Sequence, residues 1–110
     1  MEKEQRSVRY SDQFFQDIAD IYLYGYETFG KQQADKYEER IYALVNSLYF
    51  LYDLYPECKH IPTKNHIYRN VILESHLILY RITLEKIEVL RIIHSRSSIT
   101  KIRSTRNIKL

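Results

Sequence analysis

The sequence predicts an α+β fold, in which a short N-terminal strand and an antiparallel helical hairpin pack on a C-terminal three-stranded antiparallel meander, followed by a basic C-terminal tail. The first observation is a change of periodicity near residue 66. Apolar residues recur at three- and four-residue steps up to about Glu57, and follow strand patterns from Ile67 to His94. The second is the very short turn between the two helical segments, which makes them antiparallel neighbours. A chain of 110 residues fits one domain.

The N-terminal elements are a strand and an amphipathic helix. Val8–Tyr10 predicts a short strand, and Ser11 or Asp12 can cap the helix that follows it. Apolar and aromatic residues then recur on one face of this helix: Phe14, Phe15, Ile18, Ile21, Tyr22, Tyr26 and Phe29. Gly30 ends the helix, because glycine adopts a C-cap conformation at little cost.

A second helix of about 24 residues is predicted between Gly30 and Pro56, which ends it. Its apolar stripe is nearly unbroken: Ala34, Tyr37, Ile41, Leu44, Val45, Leu48, Leu51, Tyr52 and Tyr55. Residues 12–57 contain nine acids and three bases, which predicts a solvated, acidic outer surface for the hairpin.

The C-terminal half predicts three strands, at about Ile67–Leu73, His76–Leu84 and Ile87–His94, all rich in Ile, Val, Leu and Tyr. The connections between them are long enough only for hairpins, so the strands form a meander. Arg81 and Arg91 alternate with apolar neighbours. Because charged side chains are rarely fully buried, we expect the face that bears both to be uncovered and basic, with Arg69 joining it.

The charge distribution is strongly asymmetric. Residues 91–110 hold six of the 17 Lys and Arg residues and none of the 14 acids: Arg91, Arg96, Lys101, Arg103, Arg106 and Lys109. Such an end predicts a docking surface for nucleic acid or for an acidic protein segment. We place a domain at residues 1–97 and a basic tail at 98–110, which extends the last strand, forms a short helix or stays loose.

Several classes of site and location are disfavoured. There is no apolar run of about 18 residues, and the charged start lacks the apolar core of a secretory signal. A single cysteine, Cys58, suits a reducing cytoplasm. His60, His66 and His76 have no metal-ligand spacing, so we expect neither a metal nor a cofactor. His94, with Arg96 beside it, is the best candidate for moving a proton.

The chain resembles the RelE/ParE superfamily of toxins from bacterial type II toxin–antitoxin modules. The first helix, "YSDQFFQDIADIYLYGYETFG" (Tyr10–Gly30), is similar to that of the family, and Ala34 and Tyr37 match its "A..Y" in the second helix. "HLILYRI" (His76–Ile82) and "IEVLRIIHSR" (Ile87–Arg96) resemble its central and last strands. The likeness covers roughly residues 7–97, and it leans toward the ParE-like branch, which inhibits DNA gyrase.

The resemblance implies a cytoplasmic growth-inhibiting toxin of the kind found in plasmid stabilization modules, neutralised in a hetero-oligomer by a cognate antitoxin that wraps the helices and sheet. A ParE-like gyrase inhibitor is not an enzyme. The RelE-like alternative cleaves mRNA on the ribosome, and a non-toxic antitoxin-binding member is a third possibility. RelE-like nucleases commonly carry a tyrosine after the last strand, and this chain has none after Tyr80.

The resemblance also gives candidate site residues. If the chain is RelE-like, His94, Arg81 and Arg96 are its catalytic set, with His94 as the base and an arginine stabilising charge on the phosphate. Target or antitoxin binding is assigned to five residues: Arg69, Tyr80, Arg91, Lys101 and Arg103. Arginine suits this role because its planar guanidinium matches phosphate or carboxylate.

Overall fold

A computed structural model describes residues 4–110, and Met1 to Lys3, part of the charged start, lie outside the described residues. The elements in chain order are β1 (Ser7–Tyr10), α1 (Asp12–Phe29), α2 (Lys31–Asn46), α3 (Leu48–Leu51), β2 (Tyr68–Leu73), β3 (His76–Ile82), β4 (Lys86–His94), α4 (Ile99–Ser104) and a 3₁₀ turn, Thr105–Asn107. The sheet order is β1-β4-β3-β2. Strand β1 is parallel to β4, and the other pairs are antiparallel. The predicted α+β architecture is confirmed.

Ser11 joins strand β1, helix α1 and strand β4. Its hydroxyl oxygen accepts from the backbone N–H of Phe14 at 3.0 Å, which is the predicted N-cap. The same hydroxyl donates to the carbonyl of Leu90, and the Ser11 N–H donates to the carbonyl of Val89 at 3.0 Å. The cap therefore also fixes the start of α1 against the sheet.

Gly30 separates the two helices as predicted. Its φ of 92° lies in the region that disfavours side chains, and its N–H donates to the carbonyl of Tyr26 at 3.0 Å. Helix α2 begins at the next residue. A one-residue turn leaves the helices no arrangement other than an antiparallel hairpin.

The second helix is shorter than predicted. Helix α2 ends at Asn46, and after Ser47 only the single turn of α3 follows. The Ser47 hydroxyl donates to the carbonyl of Leu44 at 2.6 Å, and this side-chain bond competes with the helical backbone pattern. Leu48 and Tyr52 nevertheless remain buried, so the apolar stripe continues across the break.

The main core lies between the helical hairpin and one sheet face. The helical side contributes Phe14, Ile18, Ile41, Val45 and Leu48, and the strands contribute Val71, Ile78, Tyr80, Ile87, Val89 and Ile92. The β3–β4 register shifts at Leu79/Tyr80, which leaves Leu90 as an extra residue in β4.

The second sheet face is also covered, so the expected open basic face is wrong. Residues 98–110 turn back over the sheet as α4 and the 3₁₀ turn. A second core forms between this segment, the loop after α3 and the strands β3 and β4: Cys58, Ile61, Leu77, Leu79, Ile93 and Ile102. The tail thus takes the short-helix alternative. The physical reason is that β3 is apolar on both faces, and a strand of this kind needs cover on both sides.

Candidate functional site

Arg91 is bound within the fold. Its Nε and Nη2 donate to the two carboxylate oxygens of Asp17 in α1, at 2.9 and 2.7 Å. Asp17 also accepts the backbone N–H of Ile92 at 3.1 Å. The two side chains are 21% and 10% exposed. Asp17 therefore accepts a backbone N–H at the edge of β4, beyond the end of the short strand β1. Arg91 holds the Asp17 carboxylate in this position, and its guanidinium is directed into the fold.

Arg81 lies beneath the C-terminal segment. Its Nε donates to Glu88 at 2.7 Å, and its Nη2 donates to the carbonyl of Ile108 at 2.9 Å. The side chain is 13% exposed. Arg81 thus anchors the returning chain to the sheet, and its charge is already matched by a carboxylate.

Arg69 and Tyr80 also form hydrogen bonds to backbone carbonyls within the fold. Arg69 donates to the carbonyls of His66 and Tyr55, at 2.8 and 2.7 Å, and so holds both ends of the loop that leads to β2. Tyr80 has no exposed surface and donates its hydroxyl to the carbonyl of Tyr52. Burial raises its pKa. Neither side chain is presented to a partner in this structure.

The remaining predicted cations are exposed. Arg96, Lys101 and Arg103 all lie on the surface of the C-terminal segment. Arg103 donates from Nε to the carbonyl of His60 at 3.2 Å, and among residues 4–110 no ion pair includes any of the three. Of the five residues assigned to binding, Lys101 and Arg103 are exposed, Arg69 and Arg91 are partly buried, and Tyr80 is buried.

The predicted catalytic set is not assembled. His94 and Arg96 are neighbours, since Nδ1 of His94 accepts the backbone N–H of Arg96 at 3.0 Å. Arg81 instead pairs in register with Glu88. His76, which lies opposite His94, is five residues from Arg81 along β3, or about 17 Å. One phosphate cannot contact both Arg81 and His94.

Sequence reasoning missed a cluster of Tyr37, His76 and His94. His76 and His94 are directly opposed across β3 and β4, with ring centroids 6.1 Å apart. Tyr37 reaches them from α2, with its hydroxyl 2.6 Å from Nδ1 of His76 and 3.0 Å from the carbonyl of Leu73. The register of the β3–β4 hairpin could have predicted that the two histidines lie opposite each other. The contact of Tyr37 with them was not predictable, because Tyr37 fits the apolar stripe of the second helix.

The hydrogen-bond network assigns the protons of this cluster. Tyr37 has one proton to donate, and the Leu73 carbonyl can only accept, so Nδ1 of His76 donates to the tyrosine oxygen. His76 then carries its lone pair on Nε2. Nδ1 of His94 is an acceptor, so in neutral His94 the proton is on Nε2. Burial, followed by the nearby charge of His94, lowers the pKa of His76, whereas burial raises the pKa of Tyr37 to about 12.

His76 predicts a pH-dependent stability. Its pKa in the folded chain lies below the ordinary 6.5, so the unfolded chain binds more protons between the two values. The stabilisation by neutral His76 is complete above about pH 6.5 and is lost as the pH falls through that interval. Glu74 acts in the opposite direction and limits the effect. Urea unfolding at pH 7.5 and 5.5 should show a smaller pH difference for His76→Gln than for the wild type.

His60→Gln is the matched control for this experiment, since it also removes one histidine from the chain. It should retain the pH difference of the wild type. Equal behaviour of the two variants would contradict the assignment of a neutral, half-buried His76.

A groove of about 650 Å³ lies on the hairpin beside this cluster, lined among others by Ile21, Tyr24, Phe29, Ala34 and Tyr37. A smaller cleft of about 400 Å³ adjoins it and contains His94 and Lys101. The two share four lining residues: Ile21, Tyr24, Ser75 and His76. Tyr24 and Phe29 are 65% and 67% exposed. Together these features form a partly apolar surface that ends in a cleft of mixed charge, where Asp17 and Asp20 lie with Lys101.

Residues 4–110 contain neither a cluster of metal ligands nor a membrane-spanning helix. No group of three or more His, Cys, Asp or Glu side chains in this range is placed to hold a metal ion. No helix in it combines the length and apolarity needed to cross a membrane.

Comparison with known families identifies the chain. The sequence model of one protein family, the ParE toxin of the type II toxin–antitoxin system parDE, matches residues 8–99. The chain belongs to the ParE toxin family. This match confirms the resemblance to the RelE/ParE superfamily and its ParE-like branch, and it places the protein among the toxins of type II toxin–antitoxin systems.

Structural comparison agrees with the ParE assignment. A chain of the chromosomal ParDE TA system from P. aeruginosa superposes with a TM-score of 0.69 at 20% sequence identity. The superposition covers 84% of this ParE-family chain and 98% of that chain. Likeness at this identity establishes a shared fold. Among curated proteins no significant match is found.

Proposed function

We propose that this ParE-family toxin inhibits DNA gyrase in the bacterial cytoplasm and is neutralised by a cognate antitoxin. The observation that carries the choice of target is the incomplete nuclease set. Arg81 is paired with Glu88 and lies about 17 Å along the sheet from His94, and Arg91 is paired with Asp17. Phosphoryl transfer depends on positioned charge, so a base that keeps only the exposed Arg96 beside it argues for inhibition by binding.

The hairpin groove supports the antitoxin part of the proposal. Protein interfaces are enriched in aromatic residues and depleted of charge at their centres. One part of the groove has this aromatic character, because Tyr24 and Phe29 are exposed beside Ile21, and charged residues such as Lys36 and Glu38 lie at its border. We assign this surface to an apolar segment of the antitoxin, which would cover side chains that otherwise face water.

Expression of the chain alone should arrest growth, and co-expression of a small acidic protein encoded beside it should relieve the arrest.

Purified toxin should inhibit supercoiling by purified gyrase. Undisturbed supercoiling at excess toxin contradicts the gyrase target. Normal growth on expression alone favours the non-toxic, antitoxin-binding alternative.

His94→Ala separates gyrase inhibition from mRNA cleavage. His94 is exposed at the end of β4, so the variant should fold, arrest growth and inhibit gyrase as the wild type does. Toeprinting on programmed ribosomes should show no cleavage by the wild type. The neighbouring His76 and His94 are the feature that favours the RelE-like alternative, and cleavage that disappears in His94→Ala would establish it.

A further inference from the structure

Two segments cover the sheet face opposite the helical hairpin. They are residues 58–66, which follow α3, and residues 95–110, which follow β4. Cys58 and Ile61 of the first pack with Ile102 of the second, and Arg103 donates to the carbonyl of His60 at 3.2 Å. The segments therefore lie side by side, and we call them together the basic layer.

The outer side of the basic layer is positively charged throughout. Its two segments contain no Asp or Glu and seven exposed Lys or Arg residues: Lys59, Lys64, Arg96, Lys101, Arg103, Arg106 and Lys109. Among the ion pairs of residues 4–110, none includes any of the seven. Residues 12–57, which provide the helices on the other face, carry a net charge of −6. Acidic and basic residues are thus concentrated on opposite faces of the sheet, and within residues 4–110 the two groups approach each other where Lys101 shares a cleft with Asp17 and Asp20 of α1.

The basic layer also lacks aromatic residues. The whole chain has eleven Tyr and four Phe, and none of them falls in residues 58–66 or 95–110. The centre of a protein interface is typically rich in aromatic residues, and exposed aromatic residues lie in the hairpin groove instead. Single-stranded nucleic acid is usually held by bases stacked on aromatic rings. The two segments of the layer therefore lack the aromatic side chains that both kinds of partner commonly use.

Duplex DNA needs no such rings. Its backbone is bound by Lys and Arg, assisted by hydroxyl and amide donors that contact phosphate oxygens. The layer exposes this second group as well, in Ser95, Ser98, Thr100, Ser104 and Asn107. Arg81 holds the Ile108 carbonyl at 2.9 Å, and Ile102 is 4% exposed, so the cations stand on a segment fixed to the sheet.

We infer that the basic layer binds the sugar–phosphate backbone of duplex DNA without sequence preference. The inference extends the proposed function, because a gyrase inhibitor acts where DNA is bound. Its test contains no gyrase, so either proposal can fail while the other stands.

The test is fluorescence anisotropy of the full chain with a labelled 20-bp duplex from 50 to 300 mM KCl. The logarithm of the association constant should fall linearly with the logarithm of the salt concentration, by about 0.9 for each phosphate neutralised. The triple variant Lys101→Gln, Arg103→Gln, Arg106→Gln should reduce this slope by about 2 to 3. It should also weaken binding on the order of 100-fold at 100 mM KCl.

A second triple variant is the matched control. Lys31→Gln, Lys36→Gln, Arg40→Gln removes the same charge from α2 on the opposite side of the sheet, and it should keep most of the slope. Equal losses in the two triples would show attraction by net charge alone and overturn the inference. Tighter binding to a 20-nucleotide single-stranded RNA or to polyglutamate than to the duplex would overturn it too, as would salt-independent binding.

Discussion

Asp17→Ala should lower the free energy of unfolding by about 3–5 kcal/mol, the cost of removing one partner from a largely buried ion pair. Asp17 is 10% exposed and forms both bonds to Arg91, so the variant leaves a guanidinium with little water to replace its partner. It also leaves the N–H of Ile92 without its acceptor. Thermal unfolding should show a Tm lower by roughly 15 °C.

Asp20→Ala is the control for this experiment. Asp20 lies on the same helix and is exposed, and it accepts a hydrogen bond from Gln16 at 3.2 Å, so its loss should change stability by less than about 0.5 kcal/mol. The double variant Asp17→Ala, Arg91→Ala should be no less stable than Asp17→Ala alone, because no unpaired charge remains. An Asp17→Ala protein as stable as the control would show that the pair contributes little.

A chain ended after Ser97 should lose about 3–5 kcal/mol of stability. It lacks Ile102, whose burial alone is worth about 1.5–3 kcal/mol, and it uncovers part of Leu77, Leu79 and Ile93. Arg81 also loses its bond to Ile108. Urea unfolding measures the loss. Cys58, which is 1% exposed in the intact chain, reports on the cover directly, because a thiol reagent should label it faster in the shortened protein.

A chain lacking only Lys109 and Leu110 is the comparison. It retains Ile102 and the Ile108 carbonyl, so its stability and the labelling rate of Cys58 should match those of the full chain. If the chain ended after Ser97 also matched the full chain, residues 98–110 would be an appendage and not part of the fold.

Local patterns predicted the elements that depend on local causes. The Ser11 cap, the helical period after it and the positive φ at Gly30 all follow from neighbouring residues. The end of α2 was not predicted, because one hydroxyl bond at Ser47 breaks a helix while the apolar stripe continues through Leu48.

The candidate site was less predictable, because it depends on which residues meet across the fold. In the sequence, Arg81 and Arg91 resemble exposed cations, but in the fold they pair with Glu88 and Asp17. The second pair could not be predicted locally, because Asp17 is 74 residues distant from Arg91. Lys101 and Arg103 are exposed, as expected of a basic tail, whereas Arg91 in the same acid-free stretch is paired with Asp17.

The parallel pairing of β1 with β4 has a consequence for synthesis. Val8 is opposite Ile87, so the N-terminal strand gains its neighbour only after most of the chain has been made. Translation proceeds from the N-terminus, and contacts between distant residues form late. The nascent polypeptide therefore emerges without its finished sheet. Until β4 has been made, Val8 and its neighbours have no strand to pair with, so the folded form is reached only near the end of synthesis.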